Sequence, residues 1–234
     1  MVRWFITDIC NYNCSYCFAN RLSQFKAENI DLYLKVIKNK IPNNWAFSIL
    51  GGGEPFMHPN FFQIIEGLVK LGHRISITSN FSASIDDLEN FIKLTKGKLD
   101  FFEASLHLEY ADVNNFLNKI IYLKQRYPYF RNFLVLSVAL KENLEKLYEI
   151  KHLFSKCNIN FLEQNYRVVT KNYTYSEKEK IILGKINKDV NKKIFFTNLI
   201  HRRNFVTVVI IILPCHQQDQ QYRVCLWKKI WVIF

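Results

Sequence analysis

Three cysteines lie close together near the start of the chain, at Cys10, Cys14 and Cys17. Their spacing, C-x3-C-x2-C, brings three thiolates into one loop and supplies no fourth cysteine beside them. A closed zinc site takes four ligands, and an electron-transfer iron–sulfur cluster is normally held by four cysteines. Three thiolates suit a cluster in which one iron keeps an open position for another molecule. The spacing therefore predicts a metal centre at which chemistry occurs.

A structural zinc site is the alternative interpretation of the same cysteines. A remote residue such as Cys157, His58 or His107 would then complete a tetrahedral ligand set. A disulfide framework is less consistent with the sequence, because three of the six cysteines crowd into a few residues. In a reducing compartment such crowding is typical of metal binding.

A second motif follows, where residues 51–55 read Gly-Gly-Gly-Glu-Pro after an apolar run. Together with the cysteine loop, in which the aromatic Tyr16 comes just before the third cysteine, it resembles the two signatures of the radical S-adenosylmethionine (radical SAM) enzymes. The resemblance implies that the three cysteines bind three irons of a four-iron four-sulfur (4Fe-4S) cluster, and that the fourth iron binds S-adenosylmethionine (SAM). It implies an enzyme that cleaves SAM to methionine and a 5′-deoxyadenosyl radical, which abstracts hydrogen from a substrate.

The same resemblance indicates which residues bind SAM. They are loop-forming or polar residues at the ends of predicted strands: Tyr16, Gly51, Gly52, Gly53, Glu54, Pro55, Thr78, Asn80, Ser105, Ser137 and Arg167. Glycines let a strand end approach a ligand closely, because they have no side chain. The glycine backbone, with Glu54 nearby, would hold the methionine ammonium of SAM. Arg167 suits binding of the SAM carboxylate, because an arginine guanidinium can donate two parallel hydrogen bonds to a carboxylate.

Ser105, His107 and Glu109 alternate along the predicted fourth strand, so we expect all three to point to one face. If that face is the barrel interior, Ser105 and His107 would contact the methionine carboxylate or the ribose of SAM. His107 is also a candidate catalytic acid or base, since its pKa lies near neutrality. A hydrogen-bonded interior histidine is the alternative, and the sequence does not choose between them.

Up to about residue 165, strand-like and helical runs alternate. Strands are predicted at residues 2–7, 45–50, 74–79, 99–107, 133–140 and 160–163. Helices are predicted at residues 29–40, 60–71, 85–95, 113–126 and 142–156, the third opened by an N-terminal cap at Ser84. This alternation predicts an α/β fold of parallel βαβ units. Together with the family resemblance, the pattern predicts a parallel (β/α)6 partial TIM barrel over residues 1–165, followed by a short irregular C-terminal extension.

A basic C-terminal extension is predicted for residues 166–234. The chain carries a net charge of +12, and basic residues outnumber acidic ones between residues 165 and 205. Cys215 and Cys225 resemble a remnant of the SPASM/twitch-type extension that holds an auxiliary cluster in relatives. We expect this tail to be truncated or frame-shifted and to hold no auxiliary cluster.

The expected partners follow from these motifs and from composition. No apolar run approaches the roughly 20 residues that cross a bilayer, and no signal peptide is visible, so we expect a cytoplasmic protein without a membrane partner. The substrate would be a peptide, a protein or a small molecule, with the peptide-modifying branch favoured, and the reductant a flavodoxin or ferredoxin. Two alternatives stay open. In the first, the chain is an RNA-modifying radical SAM enzyme whose basic segment binds RNA phosphates. In the second, it is a non-catalytic iron–sulfur or zinc-binding remnant.

Overall fold

The computed structural model describes residues 1–17, 19, 29–50, 52–165, 174–187 and 208–210. Within these residues the β-strands are β1 (Val2–Phe5), β2 (Ala46–Leu50), β3 (Arg74–Ser79), β4 (Leu99–Ser105), β5 (Phe133–Ala139), β6 (Phe161–Asn165) and β7 (Val208–Ile210). The α-helices are α1 (Ile30–Lys40), α2 (Phe61–Lys70), α3 (Ile85–Leu94), α4 (Val113–Arg126), α5 (Leu144–Lys156) and α6 (Glu177–Asn187). Two single 3₁₀ turns, Pro55–Met57 and Lys141–Asn143, precede α2 and α5.

The strands form one parallel sheet in the order β6-β5-β4-β3-β2-β1-β7. Strands β1 to β6 lie side by side in chain order, with a helix in each connection, which confirms the predicted α/β fold of repeated βα units. All carboxyl ends of these strands therefore meet at one edge of the sheet, where ligands bind in folds of this kind.

The two faces of the sheet differ in burial because successive side chains alternate. One face carries buried apolar residues such as Phe47, Ile77 and Phe102, which pack in the same core as helix residues Ile64 and Phe91. The other face, called here the inner face, carries partly exposed residues. The inner face, which is the less buried of the two, includes Thr78 and Ser105 near the carboxyl edge.

One element boundary with a clear local signal is as predicted, and two others differ from the prediction. Ser84 caps α3 as predicted, because its side chain accepts a hydrogen bond from the amide of Asp87. Helix α5 begins at Leu144 rather than at residue 142, since Lys141–Asn143 forms the 3₁₀ turn. Strand β4 ends at Ser105, two residues earlier than predicted.

Two elements after residue 165 were not predicted. Helix α6 belongs to the core, because Leu183 and Ile186 are buried in it and the Lys151 ammonium of α5 donates to the carbonyl of Ile186. Strand β7 pairs with β1 and extends the sheet at that edge. Most of the basic segment, together with Cys215 and Cys225, lies outside the described residues. Among the described helices, none is both long and apolar enough to span a bilayer.

Candidate active site

The cysteine loop follows β1 at the carboxyl edge of the sheet. Cys14 is buried, Cys10 is partly exposed and Cys17 is exposed, and all three are thiols rather than half-cystines. The amide of Cys17 donates to the Cys14 carbonyl at 3.1 Å, and the amide of Tyr12 donates to the Cys10 sulfur at 3.4 Å. Burial raises the pKa of the Cys14 thiol, and a hydrogen bond with Tyr16 opposes that effect. The loop thus presents three sulfurs within eight residues of chain.

The glycine-rich loop after β2 packs directly on the start of the cysteine loop. The Gly53 amide donates to the Thr7 carbonyl at 3.0 Å, and the Glu54 amide donates to the Ile9 carbonyl at 2.7 Å. A Cβ atom on Gly53 would overlap the Ile9 carbonyl, so only glycine fits there. The two sequence motifs are therefore joined backbone to backbone. Gly51 lies outside the described residues.

The Glu54 carboxylate connects the glycine-rich loop to the end of β3. Oε1 accepts from the Ser79 hydroxyl at 2.7 Å and from the Phe56 amide at 3.3 Å, while Oε2 accepts from the Asn80 amide at 2.6 Å. The side chain is 2% exposed, and burial raises its pKa to about 7 against the effect of these three donors. Pro55 is buried beside it and opens the 3₁₀ turn. Glu54 is thus anchored inside the protein.

Asn80 reaches from the end of β3 to the cysteine loop. Its amide Nδ2 donates to the Asn11 Oδ1 at 2.9 Å and lies 3.9 Å from the Cys10 sulfur. Asn11 in turn donates to the Ser82 hydroxyl at 2.9 Å. Thr78, two residues before Asn80, lies on the inner face of the sheet. The structure therefore brings both predicted residues of β3 to the same rim as the cysteines.

His107 and Glu109 do not alternate on β4, because the strand ends at Ser105 and both residues lie in the turn after it. They contact the cysteine loop instead. The His107 Nδ1 lies 2.8 Å from the Tyr16 hydroxyl. The Glu109 carboxylate accepts from the amide and the hydroxyl of Ser15 at 2.8 and 2.5 Å. The prediction that β4 extends through residue 107 was wrong.

The remaining predicted residues divide between the two faces of the sheet. Ser105 pairs in register with Leu136 and is partly exposed at the end of β4. Ser137 is buried on the opposite face, where its hydroxyl donates to the Leu106 carbonyl at 2.7 Å. Leu136, which precedes Ser137 in β5, faces the same way as its partner Ser105. Because adjacent residues of a strand face opposite ways, Ser137 does not join Ser105 at the rim. Arg167 lies outside the described residues.

Glu103 is a site residue that the sequence did not single out, and Glu109 makes a contact with the cysteine loop that the sequence did not predict. Glu103 lies on the inner face of β4, accepts a hydrogen bond from Thr78 at 3.3 Å, and has a pKa raised by burial. Extending the alternation back from Ser105 by two residues would have found it. The bond between Glu109 and Ser15 has no sequence signal, because the two residues lie 94 positions apart.

The donor set of the cysteine loop suits a cluster, and Cys157, one of the remote residues considered for a zinc site, lies far from that loop. Cys157 caps the C-terminal end of α5, just before β6 begins, and so lies at the amino edge of the sheet. Within the part of the chain that the structure describes, no three His, Cys, Asp or Glu side chains are arranged to hold one metal ion. Three thiols of one loop, with the Tyr12 amide and the Asn80 side chain directed at the Cys10 sulfur, suit thiolate ligation of an iron–sulfur cluster.

Comparison with known proteins identifies the family. Residues 4–152, more than half of the chain, match the family model of the Radical SAM superfamily. The chain belongs to the radical SAM superfamily. The members of this superfamily are enzymes that use a 4Fe-4S cluster and SAM, so the predicted family, enzyme class and cofactors are confirmed.

Curated radical SAM relatives match only part of the chain. A tungsten-containing aldehyde ferredoxin oxidoreductase cofactor-modifying protein from Pyrococcus furiosus is 29% identical over 86 residues, which cover 36% of this chain and 24% of that protein. A probable GTP 3′,8-cyclase from Saccharolobus islandicus is 33% identical over 111 residues, covering 45% and 34%. The chain thus aligns with a quarter to a third of the length of these relatives.

Solved structures share the radical SAM fold at low identity. The structure of anSMEcpe with bound AdoMet superposes with a TM-score of 0.59 at 17% identity, covering 78% of this chain and 57% of that one. SuiB from Streptococcus suis, bound to S-adenosylmethionine, gives a TM-score of 0.55 at 17% identity and covers 88% and 49%. These likenesses confirm the expected partial-barrel fold.

Proposed function

We propose that the protein cleaves SAM reductively and uses the resulting radical to modify a peptide or protein. In this proposal Cys10, Cys14 and Cys17 hold the 4Fe-4S cluster, and the backbone of the glycine-rich loop holds the methionine ammonium of SAM. When bound and reduced, the cluster supplies the electron that splits SAM into methionine and a 5′-deoxyadenosyl radical, which takes a hydrogen atom from the substrate. The single observation that carries the proposal is the backbone pairing of the two motif loops at the carboxyl edge of the sheet.

The chain's own residues prepare this rim in three ways. Backbone pairing through Gly53 and Glu54 fixes the distance between the SAM-binding loop and the cysteines. The buried Glu54 carboxylate, which accepts from Ser79 and Asn80, fixes the glycine-rich loop against β3. Thr78 and Ser105 leave polar atoms on the inner face, where the ribose or the carboxylate of SAM would bind. A preformed rim of this kind lowers the ordering cost of binding the cofactor.

Two observations bear on the substrate class. SuiB was solved bound to its precursor peptide SuiA, with a TM-score of 0.54 to this chain, and anSMEcpe was solved with the Cp18Cys peptide, with a TM-score of 0.58. These likenesses support a peptide or protein substrate. The curated relatives include a GTP cyclase and a nucleotide dehydratase, which makes a nucleotide the competing substrate class.

The cofactor part of the proposal is tested with two cysteine variants. Wild-type protein, Cys14→Ala and Cys157→Ala are reconstituted anaerobically with iron and sulfide and then incubated with dithionite and SAM. Iron content and 5′-deoxyadenosine are measured. We expect wild type and Cys157→Ala to bind iron and release 5′-deoxyadenosine, and Cys14→Ala to do neither. Zinc instead of iron in the purified protein, or product formation by Cys14→Ala, would contradict the proposal.

The substrate class is tested by following hydrogen. Cells that carry the gene are grown in deuterated medium, and their extract is separated into peptide and nucleotide fractions. Each fraction is incubated with the reconstituted enzyme and unlabelled SAM, and deuterium in 5′-deoxyadenosine is measured by mass spectrometry. We expect label from the peptide fraction, and its loss after protease treatment. Label from the nucleotide fraction alone would replace the peptide by a nucleotide.

A further inference from the structure

We propose that the turn after β4 is a clamp that holds the cysteine loop in its ligand-binding conformation before the cluster is bound. The clamp consists of His107, Glu109 and Tyr110. These are positioning residues, which act through the loop and not on the substrate. The inference deepens the proposed function and rests on it only in taking the three cysteines as the cluster ligands.

Glu109 fixes the part of the loop between the second and third cysteines. Its Oε2 accepts from the Ser15 amide at 2.8 Å, and its Oε1 accepts from the Ser15 hydroxyl at 2.5 Å. Because a carboxylate accepts two bonds in its own plane, this pair sets both the position and the orientation of the Ser15 backbone. Ser15 directly follows Cys14. An error in its orientation would therefore be passed on to that thiol.

His107 fixes the next residue of the loop and covers it. Its Nδ1 lies 2.8 Å from the Tyr16 hydroxyl, and the two rings stack at 5.9 Å with an angle of 24°. Tyr16 also hydrogen-bonds to Cys14, which is 8% exposed. The contact thus holds Tyr16 over the buried thiol. This geometry gives His107 a role that needs no proton transfer to substrate.

Tyr110 fixes the part of the loop between the first and second cysteines. Its ring stacks on Tyr12 at 4.8 Å and 14°, and the edge of Tyr12 meets His107 at 6.0 Å and 85°. Tyr12 lies between Cys10 and Cys14, whereas Ser15 and Tyr16 lie between Cys14 and Cys17. The clamp therefore contacts both segments that separate the three cysteines. Contacts with one end of the loop alone would fix only one of these segments.

The energetic reason for a clamp is the cost of ordering a loop. Fixing the backbone of each loop residue costs conformational entropy, so an unrestrained loop would lower the affinity for the cluster. Contacts made before binding remove part of that cost. Asn80 already holds the loop from β3 through Asn11. The clamp supplies the opposing contact from β4, so that the loop is held from two neighbouring strands.

The test uses the full-length protein before reconstitution, so that it does not depend on activity. Reduced apo-protein is treated with iodoacetamide, and the alkylation rate of Cys14 is measured by mass spectrometry against Cys157 as an internal standard. We compare Glu109→Ala and Glu109→Gln, with Glu66→Gln as a control because Glu66 pairs only with the exposed Lys70 of its own helix in the ion pairs described. Glu109→Ala should raise the Cys14 rate about 3- to 10-fold, with Glu109→Gln intermediate because one oxygen still accepts.

A spectroscopic measurement separates positioning from catalysis. His107→Phe keeps the ring and loses the bond to Tyr16, whereas His107→Asn keeps a polar atom close to the position of Nδ1. After reconstitution and reduction we expect a broadened electron paramagnetic resonance spectrum for His107→Phe, and partial restoration in His107→Asn. Circular dichroism checks that each variant is folded. If Glu109→Ala is not folded, the alkylation rate of Cys14 in Glu109→Gln tests the clamp instead.

The outcomes distinguish the clamp from the proposed function. Wild-type alkylation rates and spectra in all the clamp variants would overturn the clamp, and loss of turnover in His107→Phe would then make His107 a catalytic residue. Failure of the wild-type protein to assemble a cluster would overturn the proposed function, while the alkylation rates would still report whether residues 107–110 hold the loop.

Discussion

At Glu54, burial and hydrogen bonding act on the pKa in opposite directions. Its carboxyl group is almost fully buried, yet it accepts from two backbone amides and one hydroxyl. Burial prevails and raises the pKa from the ordinary value of 4.5 to about 7. The folded protein therefore favours the protonated carboxyl group more than the unfolded chain does. The stabilisation that follows is complete below pH 4.5 and is lost as the pH rises through about 7.

A pH series of unfolding measurements on wild type and Glu54→Gln tests this sign. The amide of glutamine does not titrate, so the difference between the two proteins isolates the carboxyl group. We expect the unfolding free energy of wild type, relative to Glu54→Gln, to fall by roughly 3 kcal/mol between about pH 4 and pH 8. Glu66→Gln, which changes an exposed carboxyl group on α2, is the matched control. A pH-independent difference for Glu54→Gln would show that burial does not dominate its pKa.

At the scale of elements, local signals made the prediction accurate and distant contacts limited it. The cap at Ser84 is encoded within a few residues, so the start of α3 was predicted from sequence. The end of β4 was predicted two residues too late, and the contact between His107 and Tyr16, which lies 91 positions earlier, has no local signal in the sequence. Helix α6 was missed because the burial of Ile186 depends on α5 packing against it.

The loop between β3 and α3 depends on a lysine from a neighbouring helix. The Lys119 ammonium of α4 donates to the carbonyls of Phe81 and Ala83 at 3.0 and 2.8 Å. Phe81 is buried with a φ of 60°, a left-handed conformation that is uncommon for a bulky residue. The lysine therefore holds a strained turn directly after Asn80. Burial lowers the pKa of Lys119, which shows that the ammonium is partly removed from water.

Replacing this lysine should loosen the turn. Lys119→Met keeps the apolar stem and leaves the two carbonyls without the ammonium, so we expect the unfolding free energy to fall by roughly 1–2 kcal/mol. Amide hydrogen exchange of residues 80–84 should increase. Lys124→Met on the same helix is the matched control, since its ammonium donates to one exposed carbonyl, that of Asn158. Equal effects of the two variants would show that Lys119 has no special role.

At the scale of the whole molecule, the site exists because four loops meet at one edge of a parallel sheet. The cysteine loop contacts the glycine-rich loop through Ile9, the end of β3 through Asn11, and the turn after β4 through Ser15. Parallel strands place their carboxyl ends at one edge, so the meeting of these loops follows from the predicted fold of βαβ units. The sequence did not predict which side chains join the loops, because each joining pair lies far apart in the chain.

The extent of the folding unit is the last property to test, because the sequence placed its boundary at residue 165 whereas α6 packs in the same core. Ile186 is fully buried, and Ile181 on the same helix is 61% exposed. If α6 belongs to the unit, Ile186→Ala should lower the unfolding free energy by about 2–5 kcal/mol in a single transition. Ile181→Ala should change it by less than about 1 kcal/mol. Equal, small effects in denaturant titrations would instead place the end of the unit before α6.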